Sequence, residues 1–599
     1  MVSVRNKFFS LKAEERVCGM QEFSLLYPGR EVPEYNILPE ETVHDLAVDY
    51  FCGVLSQMEP ERKMIKGIMT RISGDREVVQ YRLDVFEDVL TMPELREKLR
   101  KLLDRVDFLK TYGSFGKESD ASGVWELVHR LGEMDEYIQC IQEIYFCLKE
   151  ADIHSEGFKI LKEYAGRIYE DSGFEELKKD IDALKLETSK VKSITLGVNL
   201  NDRYEPSEVG IVSINSKAFV KSGIVANFCD FLNRRDEIQE GNQWKNQYTI
   251  RTTGRDSKEG KMEGSGVSAL TGVPGLIAGG AVHQGMADIS NDEQSKEATH
   301  ILDRAVTSML TRITKKLKHI LSRHVAVSTS TISALLPELL YYIYWAEYVE
   351  KLQGKGFSMT KPKLLETDKR EMRGKGIYNL KLAQSMIEKK EDSAGIVGND
   401  LDFDAEHRLY ILTGANRGGK TTITQAVGIA FLLAQGGIYV PGEAFSFSPA
   451  DNIFTHYPAD ENKTMDLGRL GEESKRFREI FMEATSQSLL LLNESFSTTS
   501  FEEGFFIARD VVRVLLKLGV RTIYNTHMHK LAREVEALNK ESSENKGASL
   551  IVETKDGERS YRVRVAPPEG LSYARDIAEK YGVTYEMLKK SKEDEGVKI

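Results

Sequence analysis

The chain is poor in cysteine, tryptophan and proline, carries no excess of positive charge and has no long apolar run. Its five cysteines, Cys18, Cys52, Cys140, Cys147 and Cys229, are scattered and contain no C-x-x-C pair. That excludes a small disulfide-stapled fold and a cysteine-rich zinc site, and it fits a reducing compartment. Cys140 and Cys147 lie within one helical pattern and read as core residues. No stretch approaches the roughly 20 apolar residues needed to span a bilayer. The opening Met1-Val2-Ser3-Val4-Arg5-Asn6-Lys7 lacks the apolar core of a signal peptide. A soluble cytoplasmic protein without membrane contact is expected. Net charge is −11, so bulk attraction for nucleic acid is absent and any such partner must meet a local basic patch.

A length of 599 residues is too great for one hydrophobic core, and several domains are expected. Residues 1–40 are interrupted by Pro28, Pro33 and Pro39, and their fold is left open. From Glu41 to about Lys190 the apolar residues recur at helical spacing, as in Val85, Leu90, Leu95, Leu99, Leu102 and Leu103. Pro93 is placed to begin a helix there. The pattern then changes. Ser193–Leu200 and Gly210–Ile214 read as strands, and Trp244–Arg251 as a third. Residues 254–285, rich in Gly, Ala and Ser, read as a mobile loop. Helical spacing returns from Asp292 to Gln353. Within it Arg312, Lys315, Lys316, Lys318, His319 and Arg323 surround an apolar face. That run suits either a solvated helix face or phosphate contact. The stripe Tyr341, Tyr342, Tyr344, Trp345 and Tyr348 reads as core. Lys355–Lys375 reads as a basic connector, after which strands and helices alternate.

Three motifs in that last region carry chemistry. Gly414-Ala415-Asn416-Arg417-Gly418-Gly419-Lys420-Thr421 fits G-x-x-x-x-G-K-T, between an apolar strand pattern (Leu409–Leu412) and a helical one continuing through Thr422 and Ile423. Glycines let backbone N–H groups wrap a phosphate chain, and the helix N-terminus adds partial positive charge. Lys420 is expected on the β/γ-phosphates and the Thr421 hydroxyl on Mg²⁺. The second motif is a four-leucine strand ending in Asn493-Glu494, with Glu494 placed to orient or deprotonate an attacking water. Asn493 stands where a metal-associated carboxylate is usual, which predicts weaker Mg²⁺ affinity or slower turnover. The third is a β-branched strand ending in Thr526-His527, with His527 set to meet the γ-phosphate.

In order, these pieces resemble the MutS family of DNA mismatch repair ATPases, which stands close to ABC-type ATPases. Thr413–Thr422 is similar to that family's T-G-P-N-M-G-G-K-S-T loop, including Asn416. Asn493-Glu494 is similar to its Asp-Glu pair, Thr499-Ser500 and Glu503-Gly504 to the polar segment that follows, and Thr526-His527 to its switch histidine. Glu473 stands at the spacing of the glutamate that ends its signature motif. Ile396-Val397-Gly398-Asn399-Asp400 resembles its adenine-side segment, and Pro567–Gly570 with the tail beyond resembles its dimerising end. The resemblance is close over residues 370–590 and looser over 41–360. It departs at Gly468-Arg469, where the family has Ser-Thr. It departs again at Phe496-Ser497-Thr498, where the family has Gly-Arg-Gly, and at Ile396, where it has an aromatic.

What the resemblance implies is a multidomain α and α/β protein. A helical core and lever domain (41–365) would follow an N-terminal segment (1–40) and carry a small β and mobile clamp-like insertion at 191–290. An ABC-type P-loop ATPase domain (366–570) and a C-terminal helical dimerisation tail (571–599) would complete it. It would be a reduced form, without the N-terminal mismatch-reading domain or a C-terminal nuclease domain. ATP and Mg²⁺ would bind at a homodimer interface. Gly414–Thr422, Ile396 and Asn399 would hold the nucleotide, Thr421 and Asn493 the metal, and Lys420, Glu494 and His527 would serve hydrolysis. Arg469 or Glu473 would come from the opposite chain. The function so implied is an ATP-driven clamp on DNA, in mismatch repair or recombination. The alternatives are a mechanical ATPase acting on RNA or a protein assembly, and a nucleotide-binding scaffold with little hydrolysis.

Overall fold

The structure, a computed structural model, describes residues 23–29, 32–112, 124–188, 193–200, 206–215, 315, 319–320, 330–414, 418–458, 468–542, 544–555, 558–568 and 581–594. The expected third strand at 244–251, the loop at 254–285, Ala415–Arg417 and most of the basic run at 312–323 lie outside the described residues. The chain divides into two compact units. One gathers Met1–Asp104, Phe146–Tyr164 and Ala334–Ile599, the other Arg105–Tyr145 and Ala165–Ser333.

The early helices follow the sequence pattern. They include α1 (Glu59–Met69), α2 (Arg76–Thr91), α3 (Pro93–Tyr112), α4 (Val124–Lys149), α5 (Glu156–Tyr169) and α6 (Ser172–Thr188). Asp75 caps α2 by accepting the Glu77 N–H at 2.8 Å. Pro93 opens α3, where its missing N–H costs nothing. Within the second unit, strands β1 (Ser193–Leu200) and β2 (Pro206–Asn215) form an antiparallel hairpin with Gly197 opposite Gly210. Tyr145 and Tyr169 stack at 4.4 Å in that unit.

The first unit is organised by α7 (Leu336–Gly354), with Pro337 in its first turn. Tyr341, Tyr342, Trp345 and Tyr348 are buried, so the aromatic stripe is core except at Tyr344, which is half-buried and donates its hydroxyl to Glu61 at 2.9 Å. A four-stranded sheet follows, made by Lys363–Leu364, β3 (Met372–Ile377), β4 (Asn399–Phe403) and β6 (Ala444–Phe447), with α8 (Leu380–Lys389) between β3 and β4. Lys355–Lys375 is therefore not the plain connector expected. Its two-residue strands are too short to show alternation in sequence.

The main sheet has six strands in the order β7 (Ile453–His456), β8 (Leu489–Asn493), β9 (Arg521–Asn525), β5 (His407–Thr413), β10 (Lys546–Lys555) and β11 (Glu558–Val565). Only the β10–β11 pair is antiparallel. Every residue of β8 and β9 is buried, as parallel strands covered on both faces require. The sheet is flanked by α9 (Lys420–Gln435), α10 (Gly468–Glu483) and α11 (Phe501–Leu518). Ser500 caps α11 by accepting the Glu503 N–H while its hydroxyl donates to the Glu503 carboxylate at 3.0 Å, and Gly519 at φ 70° ends the helix. A last helix, α12, covers Tyr585–Asp594.

Candidate active site at the carboxyl ends of the parallel strands

Parallel connectivity brings the C-terminal ends of β5, β8 and β9 side by side, and in such sheets ligands bind at that edge. Gly419, at φ 91°, caps α9, a conformation that an L side chain resists. Lys420 is the first residue of the helix. It is 5% exposed, and its Nζ donates to the Gly414 carbonyl at 3.0 Å. Burial pulls the Lys420 ammonium below its ordinary range, and the charge of Glu494 works against that.

Next in the chain, the Thr421 hydroxyl donates to Asn493 Oδ1 at 3.0 Å. The register pairs Asn493 with Asn525 on the neighbouring strand. Asn525 Nδ2 accordingly donates to Asn493 Oδ1 and, at 3.3 Å, to Thr421 Oγ1. Three uncharged oxygen-bearing side chains thus meet beside the glycine loop. The buried Asn525 Oδ1 has no hydrogen-bond partner among the described residues. A divalent cation on Thr421 and Asn493, directly or through water, fits this donor set, since hard cations take oxygen ligands. The set lacks the negative charge that usually accompanies it.

Glu494 follows at φ 52°, its N–H held by the Asn525 carbonyl at 2.8 Å. A left-handed conformation costs a non-glycine residue about 1–2 kcal/mol. His527 Nε2 lies 2.7 Å from Glu494 Oε1, and both side chains are partly exposed. That hydrogen bond, with the nearby Lys420 charge, holds the Glu494 carboxyl below the usual glutamate range. A carboxylate kept ionised, oriented by a histidine and open to solvent can position and deprotonate water.

The other predicted residues are placed as follows. Gly418 is buried, Thr422 is exposed, and the Thr422 carbonyl accepts from Asn379 Nδ2 at 3.0 Å. Ile396 is half-buried after the single turn Ser393–Gly395. Asn399 does not display its amide openly. It grips β11, giving Nδ2 to the Tyr561 carbonyl at 3.2 Å and taking the Val563 N–H on Oδ1 at 2.8 Å. Glu473 is 6% exposed, and its carboxylate accepts from the Phe496 N–H at 3.0 Å and Thr498 Oγ1 at 3.2 Å of its own chain. The side chain of Arg469 is outside the described residues.

Two residues at this edge escaped sequence reasoning. Asn525 could have been found by setting β8 and β9 side by side, since both end in Asn at paired positions. Tyr561 gave no signal. It sits on β11 at φ 58°, about half exposed, with Cδ1 3.4 Å from where a Cβ on Gly419 would lie. Its ring therefore lies against the glycine loop.

The sequence is similar to known proteins. The family described as MutS domain V matches residues 410–595, and the MutS2 N-terminal domain matches residues 74–355. An "Endonuclease MutS2" of Thermus thermophilus is 30% identical over 195 residues, which are 33% of this chain and 26% of that protein. A "DNA mismatch repair protein MutS" of Nitratidesulfovibrio vulgaris is 30% identical over 212 residues, 35% of this chain and 23% of its own length. One of the same name from Chlorobium phaeobacteroides is 33% identical over 198 residues, 33% and 22% of the respective chains. The matched stretches thus span about a quarter of these relatives. No helix among the described residues is long and apolar enough to cross a membrane.

Proposed function

We propose, on the premise that the chain belongs to the MutS family, that it binds DNA as a homodimer and hydrolyses ATP at the subunit interface. The observation that carries this is the convergence of Lys420, Thr421, Asn493, Glu494 and His527 on one edge of the sheet. The glycine loop and Lys420 hold the triphosphate, releasing the Lys420 ammonium from the Gly414 carbonyl. Thr421 and Asn493 hold Mg²⁺, which when bound neutralises phosphate charge. Glu494 orients a water and takes its proton. His527 positions Glu494 and meets the γ-phosphate. Tyr561 offers an aromatic face beside the loop, the role left vacant by Ile396. Because the Glu473 carboxylate is engaged within its own chain, the contact across the dimer falls to Arg469 at the start of α10.

Binding energy from the nucleotide would then reach the helical levers and open or close a clamp at 191–290. The test is a binding screen over mismatched, branched and plain duplexes with and without ATP, repeated across salt. An association carried by the basic run at 312–323 weakens with a log–log slope of about −0.9 per phosphate contacted. Absent or salt-insensitive association sinks the DNA reading. A second reading is a mechanical ATPase acting on RNA or a protein assembly, and the net charge of −11 fits the protein partner. Nucleic-acid crosslinks within residues 191–330 would exclude a protein-only partner.

A further inference from the structure

The segment after Glu494 turns twice through conformations that non-glycine residues avoid, with φ 52° at Glu494 and 63° at Phe496. Such backbone persists only where its surroundings over-determine it. Here the surroundings reach from α10 and β7. Glu473, in the second turn of α10, holds the Phe496 N–H and the Thr498 hydroxyl through its carboxylate. The carbonyl of the same residue lies 3.0 Å from His456 Nε2, and His456 Nδ1 lies 2.6 Å from Ser495 Oγ. Tyr524 donates its hydroxyl to the Ser495 carbonyl at 2.8 Å. The His456 ring stacks on Phe496 at 5.6 Å, and Phe477 of α10 meets Phe496 edge-on at 5.6 Å.

The tautomer follows from these partners. A carbonyl can only accept, so Nε2 carries the proton. Burial pushes the imidazole down to about 3, so the ring is neutral and Nδ1 accepts. The Ser495 proton therefore goes to Nδ1, although the His456 carbonyl lies 3.0 Å from the same oxygen. His456 is 1% exposed and uses both ring nitrogens, one toward α10 and one toward the segment beside Glu494. An apolar side chain at the end of β7 would fill the space and make neither bond.

We infer that His456 and Glu473 are positioning residues that tie α10 to the Glu494 segment, so that the placement of α10 sets the hydrolytic geometry of Glu494. This rests on the proposed role of Glu494. The tie acts on hydrolysis and leaves nucleotide binding alone, because among the described residues neither side chain bonds to the glycine loop and both bond instead to the segment after Glu494 and to α10. It makes α10 the element through which contact at its N-terminal end reaches the site in its own chain.

The experiment uses the full chain, a fluorescent ATP analogue for binding, single-turnover hydrolysis for rate, and thermal melting to verify folding. The expected result is wild-type affinity for the analogue in every variant. His456→Phe and Glu473→Leu slow single-turnover hydrolysis by about 10- to 100-fold, the scale of a small misplacement of a reacting group. Ser495→Ala shifts the rate in the same direction. Glu473→Gln, which keeps an acceptor for Phe496, recovers rate relative to Glu473→Leu. Should His456→Phe not fold, Ser495→Ala decides, since it removes a single hydroxyl. Wild-type rates in His456→Phe and Ser495→Ala, with Glu494→Gln inactive, overturn the inference and leave the parent reading standing. Full hydrolysis by Glu494→Gln overturns the parent reading, and the inference with it.

Discussion

Asn493→Asp is the substitution that most directly examines the uncharged donor set. Asn493 Oδ1 accepts from Thr421 at 3.0 Å and from Asn525, and the residue is 8% exposed. An aspartate keeps the shape and both donors. Its hydrogen bonds become charge-assisted and roughly twice as strong. Against that, placing a charge in a mostly buried position costs several kcal/mol before compensation. Without nucleotide the variant should therefore be close to wild type in stability or weaker by about 1–2 kcal/mol. With nucleotide and cation the sign reverses. A unit charge and a divalent ion one water apart, on the order of 5 Å, attract by ~1.7 kcal/mol even at the dielectric of bulk water. That converts to about 15-fold in affinity. The assay is the Mg²⁺ concentration giving half-maximal single-turnover hydrolysis, with Mn²⁺ binding to the ATP-loaded protein followed by electron paramagnetic resonance as an independent readout. Both midpoints should fall by about an order of magnitude. An unchanged or higher midpoint would refute the argument that Asn493 weakens cation binding.

Lys420→Ala should abolish productive ATP binding in equilibrium titration, and unchanged hydrolysis would remove the site assignment. Tyr561→Ala should weaken the ATP analogue by about 0.5–1.5 kcal/mol, or roughly 2- to 12-fold, while Tyr561→Phe retains it. Equal loss in both would point away from the ring face. The Glu494 carboxyl lies below its ordinary value because His527 bonds to it. Its contribution to stability is thus present above the unfolded carboxyl pKa and is lost as pH falls through the lower folded value. His527→Ala should accordingly move the acidic limb of hydrolysis to higher pH, and an unmoved limb would break that link. Gly437→Ala should lower the melting temperature, because Gly437 sits at φ 82° and a Cβ there would lie 2.4 Å from Arg82 Cβ and 2.7 Å from its backbone. The cost expected for such overpacking is about 1–3 kcal/mol.

Strands β5, β8 and β9 of the main sheet could be read from sequence because parallel strands write themselves in continuous apolar runs. Leu489–Leu492 and Leu409–Leu412 each deliver a polar residue or a glycine turn at the carboxyl end of the strand, the edge at which such sheets generally bind ligands. The aromatic stripe on α7 and the hairpin at 193–215 were legible for the same reason, periodicity sustained over enough residues. What was not legible depends on pairing across the chain. Tyr561 reaches the glycine loop only because β11 lies beyond β10, which pairs with β5. Asn399 looks like a base-side residue in sequence and instead clamps that strand. Glu473 reads as a contact for an opposite chain, while its carboxylate serves Phe496 and Thr498. The His456 and Ser495 side chains carry no motif at all. Their meaning lies in the packing of β7 against the segment after β8.

The first compact unit is discontinuous in sequence, and this bears on how the chain is made. Glu338 takes the Leu25 N–H at 2.6 Å and the Ser24 hydroxyl at 2.8 Å. Arg82 Nη1 reaches the Gln435 carbonyl at 3.1 Å, and Gln435 Nε2 returns to Ser73 at 2.8 Å. Thr42 Oγ1 accepts the Thr455 N–H at 3.2 Å. Residues made first are thus closed by residues made more than three hundred positions later. At synthesis rates of about 5–20 residues per second, the helices of residues 40–104 spend tens of seconds before their partners emerge. Phe86, fully buried in the finished protein and set against Tyr342 and Tyr439, lacks those partners through that interval. The second unit, by contrast, has emerged whole before the first can close. Synthesis therefore delivers the second unit before the first is complete.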